Sequence, residues 1–158
     1  MLKKLLLLML SGSILALPML SVAQQDKDPV ISYRQKVMQS IGANIGAISD
    51  VLKYSLPRQD NIPAHAEQMR RAAALIPSAF EDELSEGPTD AKPEIWESWD
   101  EFQEYAGDLE QASAELAAMA ADSDTATFAA QVKKVGDTCK QCHDEFRKPK
   151  EESYKQNM

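Results

Sequence analysis

From Val30 onward apolar residues return at intervals of three, four and seven positions, as Val30, Val37, Ile41, Ile45, Ile48 and Leu52. That spacing puts them on one face of a helix. Asp28-Pro29 starts it, as a cap followed by a first-turn proline, and Leu56-Pro57 stops it after about Tyr54. A second amphipathic stretch begins near Asp60, Asn61 and Pro63. It carries Ile62, Ala66, Met69, Ala73, Ile76, Phe80 and Leu84 on one face, with Pro77 expected at a kink or an early exit. The segment Glu86 to Lys92, holding Gly87-Pro88 and closed by Pro93, is the longest loop signal. Ile95, Trp99, Phe102, Ala106, Leu109, Ala112, Leu116 and Met119 then mark a third helix. Asp122-Ser123-Asp124 breaks it and caps a fourth, with Phe128, Val132, Val135, Cys139, Cys142 and Phe146 on the inner face. Pro149 ends the fourth, and residues 151–158 read as a charged, frayed tail.

Four amphipathic helices in 158 residues predict an all-α chain folded as an antiparallel four-helix bundle, because each apolar stripe can bury itself only against the other three. No fixed-period repeat or linker divides it, so one domain is expected over 24–158. Residues 1–23 stand apart: Lys3 and Lys4, an apolar run from Leu5 to Leu20, and the small-residue site Ser21-Val22-Ala23 spell a secretory signal peptide. A retained anchor is the poorer reading, since Ser11, Gly12, Ser13 and Pro18 interrupt the run.

Charge narrows the partners. The chain carries −8 at pH 7, and without the leader's two lysines 15 bases against 25 acids leave −10, which speaks against nucleic-acid phosphates as a partner. An exported, acidic protein with no stable membrane insertion after cleavage is expected.

The chemistry lies in the fourth helix, where Cys139-Lys140-Gln141-Cys142-His143 spells CxxCH, the c-type haem attachment pattern. Thiols three apart share one helical face and can form thioethers to the two vinyl groups of a porphyrin, while the next histidine serves as proximal iron ligand. A thioredoxin-like redox pair needs a βαβ setting, a zinc site needs four ligands in all, and a structural disulfide leaves His143 idle. One haem c, covalent through Cys139 and Cys142 and ligated by His143, is the expectation.

Two arginines bear on it. Arg147 lies one turn beyond His143 and is placed to pair with a propionate, or is an ordinary C-terminal helix cation. Arg34 interrupts the first apolar stripe, where a buried propionate would give its charge a reason and snorkelling to the surface is the plain alternative. Gly42 and Gly46 each cost about 1 kcal/mol against alanine in a helix, which suggests close approach of haem, a crossing helix or a second subunit. His65 reads as an exposed histidine without a role. Lys133, Lys134, Lys140 and Lys148 make the haem helix the basic side, a place for a redox partner to dock or simply a solvated face.

At this point the chain resembles the class II cytochromes c, cytochrome c prime and its low-spin methionine-ligated relatives. The match is carried by CxxCH near the C-terminus, Tyr33-Arg34-Gln35-Lys36-Val37-Met38, Pro93-Glu94-Ile95-Trp96 and Cys142-His143-Asp144-Glu145-Phe146-Arg147. The resemblance spans about Asp28 to Lys148. It implies a periplasmic left-handed bundle holding one haem, arginines near the propionates at both named positions, and often a homodimer built on the first two helices. Met38, one turn from Arg34, then has three readings. It is a distal sixth iron ligand suited to electron transfer, a bulky residue guarding an open five-coordinate site that binds gases such as NO or CO, or core filler. The expectation leans to an electron carrier with Met38 as ligand, and in either case to a non-enzyme, since no nucleophile–base pair or phosphate loop is present. A haem-free periplasmic bundle with a structural disulfide, binding or stress-related, is the rival from another class.

Overall fold

The computed structural model describes residues 28–119 and 124–157; the leader, its cleavage site and Asp122-Ser123 lie outside them. Six α-helices appear among the described residues: α1 Pro29–Lys53, α2 Ile62–Ala73, α3 Ile76–Ala79, α4 Glu94–Glu97, α5 Trp99–Ala117 and α6 Thr125–Phe146. No β-strand accompanies them, only an isolated antiparallel bridge between Ala91 and Arg147.

The ends follow local chemistry. Asp28 accepts a hydrogen bond from the Val30 N–H at 2.8 Å, with Pro29 in the first turn. Asp124 caps α6 by accepting from the Thr127 N–H at 3.0 Å. After α1 the chain leaves through Ser55 in the left-handed region, at φ 49°. The second predicted helix is shorter than its apolar stripe. Pro77 has no N–H to give the carbonyl of Ala73, so the chain breaks at Ala74-Leu75 and restarts as the single turn α3. Leu84 therefore falls in the loop and not on that helix. The third helix is likewise split at Ser98 into α4 and α5.

Four rods result: α1, α2 with α3, α4 with α5, and α6. Adjacent rods run antiparallel. Phe102 and Tyr105 near the start of α5 touch Phe146 at the end of α6, whereas Gln131 near the start of α6 donates to the Ala112 carbonyl late in α5 at 3.0 Å. Likewise His65 early in α2 is hydrogen-bonded to Asn44 in the second half of α1 at 2.9 Å, while Arg34 near the start of α1 reaches Phe80 beyond α3. The predicted four-helix bundle is thus observed, and His65, expected to be idle, ties two helices together. The core holds Ile48, Ile62, Met69, Leu116, Phe128 and Val135, each 2 % exposed or less.

The long loop after α3 is stitched down rather than free. Gln35 donates to the Pro88 carbonyl at 2.8 Å, Lys92 N–H to Phe146 at 3.1 Å, and Lys148 N–H to Asp90 at 2.8 Å. Gly87 takes φ 83° within it, a conformation that suits a residue without Cβ. The tail departs from expectation: residues 150–152 and 154–157 form two 3₁₀ turns packed back on Asp90. A carboxylate with unused acceptors met the Tyr154 N–H and the Ser153 hydroxyl, and fraying is suppressed. Among the described residues no helix is long and apolar enough to cross a membrane.

Candidate haem site

Between α1 and α6, at the end of the bundle covered by the long loop, lies an open cavity of about 410 Å³. α6 places Cys139, Cys142 and His143 on its wall; α1 contributes Met38, Ile41 and Ile45, and α5 contributes Phe102, Tyr105 and Leu109. Of the aromatic and thiol-bearing positions predicted for the inner faces of the third and fourth helices, Phe102, Cys139, Cys142 and Phe146 reach this one space, because a helical period of 3.6 keeps such residues on one side. Phe80 joins them, and Trp99 sits behind, stacked on Phe102 with centroids 5.6 Å apart.

Both cysteines are half-buried free thiols, so the disulfide of the haem-free rival is not formed. Burial pushes the Cys142 thiol up to about 12, with Cys139 beside it adding to the rise, and Cys139 is raised for the same reason. Raised pKa values disfavour the thiolates that a cysteine-bound metal ion would require. Among the described residues no three His, Cys, Asp or Glu side chains gather into a metal cage. His143 is exposed overall yet lines the cavity. Desolvation there, and then the charge of Arg147, lowers its pKa and keeps the imidazole neutral, the form that ligates iron.

Arg34 is the most telling neighbour. It is 1 % exposed, lies with its guanidinium carbon 5.2 Å from the Phe80 centroid and 5.5 Å from that of Trp96, and donates Nη2 to the Leu84 carbonyl. Trp96 is itself held by a 2.8 Å bond from its indole N–H to the Phe80 carbonyl. Nε and Nη1 of Arg34 are buried without partners. Burial lowers the Arg34 pKa, against the opposing charges of Asp28 and Asp82. Snorkelling is therefore overturned. A buried cation with two unused donors at the edge of an apolar cavity is what an anionic haem carboxylate would complete, so the residues present fit the group.

Other expectations are modified. Arg147 lines the cavity, but it has left the helix, with φ −118° and ψ 138°, and its Nη2 donates to Asp90 at 3.0 Å. A carboxylate of the protein already engages it. Gly42 borders the cavity, yet a Cβ placed on Gly42 or Gly46 would meet nothing within 4 Å, so no crossing helix of this chain explains either glycine. The basic side is largely cancelled: Lys133 pairs with Asp137 at 2.6 Å, Lys134 with Glu115 at 2.5 Å, and Lys140 with Asp144. Met38 is half-buried and lines the same cavity as His143. Asp90, Tyr154 and Lys155 were missed. Their placement arises from a loop and a tail, where no periodicity points inward.

Residues 29–147 match the family described as Cytochrome C'. A cytochrome c' of Rhodospirillum rubrum is 30 % identical over 142 residues, covering 89 % of this chain and 97 % of that one. One from Rhodocyclus tenuis is 43 % identical over 128 residues, covering 77 % and 95 %. Among solved structures, a ferrous variant of cytochrome c prime from Alcaligenes xylosoxidans with bound NO superposes with a TM-score of 0.66. Its identity is 31 %, over 77 % of this chain and 94 % of that one.

Proposed function

This chain belongs to the cytochrome c' family and carries covalently attached haem c, and from that premise we propose that it binds a small gas such as NO or CO in the periplasm. The observation that carries the reading is the cavity itself, a mostly apolar space whose α1 wall offers Met38, Ile41 and Ile45. A small neutral ligand is favoured there over water or ions. The structural relative with bound NO lends it support. The bound haem supplies an iron that changes oxidation state and can take a small ligand.

The protein's own residues divide the remaining work. Cys139 and Cys142 hold the ring by thioethers and fix it against α6. His143 presents a neutral nitrogen to the iron. Arg34 offers two unpaired donors to a propionate, and Phe80 and Trp96 keep that guanidinium in place. Met38 crowds the space where a gas would sit and so sets its rate of entry. The role is binding, not turnover. Export by the leader ending at Ala23 places the protein in the compartment where haem c is attached.

The second reading, a His/Met electron carrier, draws on Met38 lining the same cavity as His143. Absorption spectra of oxidised and reduced protein, with and without carbon monoxide, separate the two. Gas binding predicts high-spin iron in the resting protein, ready uptake of carbon monoxide, and a Met38→Ala variant that binds gas faster with its resting spectrum little changed. Sharp low-spin α and β bands, poor carbon monoxide binding and conversion to high spin by Met38→Ala would establish ligation instead.

A further inference from the structure

The family match ends at residue 147, yet the chain beyond it is ordered back onto the haem cavity. Asp90 organises this. Its Oδ2 accepts from Arg147 at 3.0 Å and from the Ser153 hydroxyl at 3.1 Å, and its Oδ1 accepts from the Tyr154 N–H at 3.0 Å. Its side chain is 10 % exposed and Ser153 is buried. Two carboxylate oxygens meeting three donors, one of them a backbone N–H, is the pattern of a built clasp. Tyr154 and Lys155 then line the same cavity as His143.

The charges along that edge do not balance for an incoming anion. Arg147 is already matched by Asp90, whereas Lys155 is in no ion pair among the described residues, with its ammonium 5.9 Å from the Tyr154 ring centroid. A haem brings two carboxylates, and Arg34 with its two free donors serves one of them. We infer that residues 150–157 are a strap, clasped by Asp90, that walls the haem cavity beside His143 and offers Lys155 to the second haem carboxylate. The inference rests on the haem placement above but not on which ligand the iron takes. A flexible, exposed lysine stem can swing to a carboxylate at the cavity mouth without leaving a buried charge behind.

Two measurements on the full-length haem-loaded protein decide it. Trypsin can cut after Lys150, and the clasp should protect that bond, so Asp90→Asn should be cut there about tenfold faster than wild type. A cation near the ring favours the added electron, so Lys155→Gln should lower the midpoint potential, Lys155→Arg should restore it, and a chain ending at Pro149 should fall at least as far as Lys155→Gln. Equal cutting of wild type and Asp90→Asn would dispose of the clasp. An unchanged midpoint in Lys155→Gln would dispose of the carboxylate partner, and such a surface variant leaves the fold intact. Absence of haem on a denaturing gel would count against the haem reading itself, and the trypsin comparison, which needs no haem, would still judge the strap.

Discussion

Two seams of the same bundle are closed by different matter. Where α2 meets α5, the rods pack closely on side chains alone, with Ala66, Met69, Ala73 and Ala112 all buried to 1 % exposure or less. α1 and α6 meet far less, and the cavity bearing Met38, Cys139 and His143 lies between them. Small residues let the first pair of backbones approach, while the second pair stands apart around an apolar cavity. An apolar stripe says that something must cover it, and not whether that is protein or haem.

The strongest break of this contrast is Cys139→Ala combined with Cys142→Ala. Thioethers survive denaturation, so the double variant should show no haem on a denaturing gel. It should lose no less than the roughly 3–5 kcal/mol that removal of a large buried aromatic costs, read as the shift in a urea unfolding curve. Wild-type stability in a host unable to attach haem would mean that the α1–α6 seam closes by itself.

The other seam should respond in the opposite sense. Met69→Ala leaves a cavity among residues that cannot collapse freely, at about 2–5 kcal/mol, while the absorption spectrum stays as in wild type because Met69 is not on the haem wall. A changed spectrum would show the two seams coupled.

The same contrast explains what the sequence could disclose. Four stripes of period 3.6, the caps Asp28 and Asp124, and CxxCH were legible because each is written in neighbouring residues. Pro77 announced its break for a local reason too. Leu84 misled, since a stripe continues in the letters after the backbone has turned away. Arg34 could be marked as an anomaly but not placed, because its partners Phe80, Leu84 and Trp96 lie 46 to 62 residues along the chain. Asp90 left no trace, as a lone aspartate in a loop resembles any solvated one. Lys133 and Lys140 stand four residues before Asp137 and Asp144, a spacing readable on any predicted helix, whereas the letters could not tell that Lys134 would meet Glu115; together these pairs weaken the basic face as a docking site.

Arg34→Met sharpens the distinction by having two signs. In the haem-free double-cysteine background it removes buried donors that lack partners and should stabilise the protein by about 1–3 kcal/mol. In the haem-loaded protein it removes a cation beside a propionate and should lower the midpoint potential. Destabilisation in both forms would show that the stacking on Phe80 and Trp96 outweighs the unpaired donors.

The smallest effect concerns the clasp at the cavity end and is read through pH. Burial works against the Asp90 carboxylate, but Arg147, the Tyr154 N–H and the Ser153 hydroxyl together hold its pKa below the usual aspartate value. A carboxyl whose folded pKa is depressed binds fewer protons folded than unfolded, so its stabilisation is complete above the unfolded pKa and is lost as pH falls through the folded one. With Arg147 half-exposed, solvent screens its share of that stabilisation. Asp90→Asn keeps the shape and removes the titration. Wild type should therefore exceed Asp90→Asn in urea midpoint at neutral pH, and the two should converge as pH falls through and below the ordinary aspartate range. The deficit of Met69→Ala, which comes from packing and involves no ionisable group, should persist across the same range. A gap for Asp90→Asn that also persists would mean that the strap is held by shape, and that both ends of the bundle are closed by packing after all.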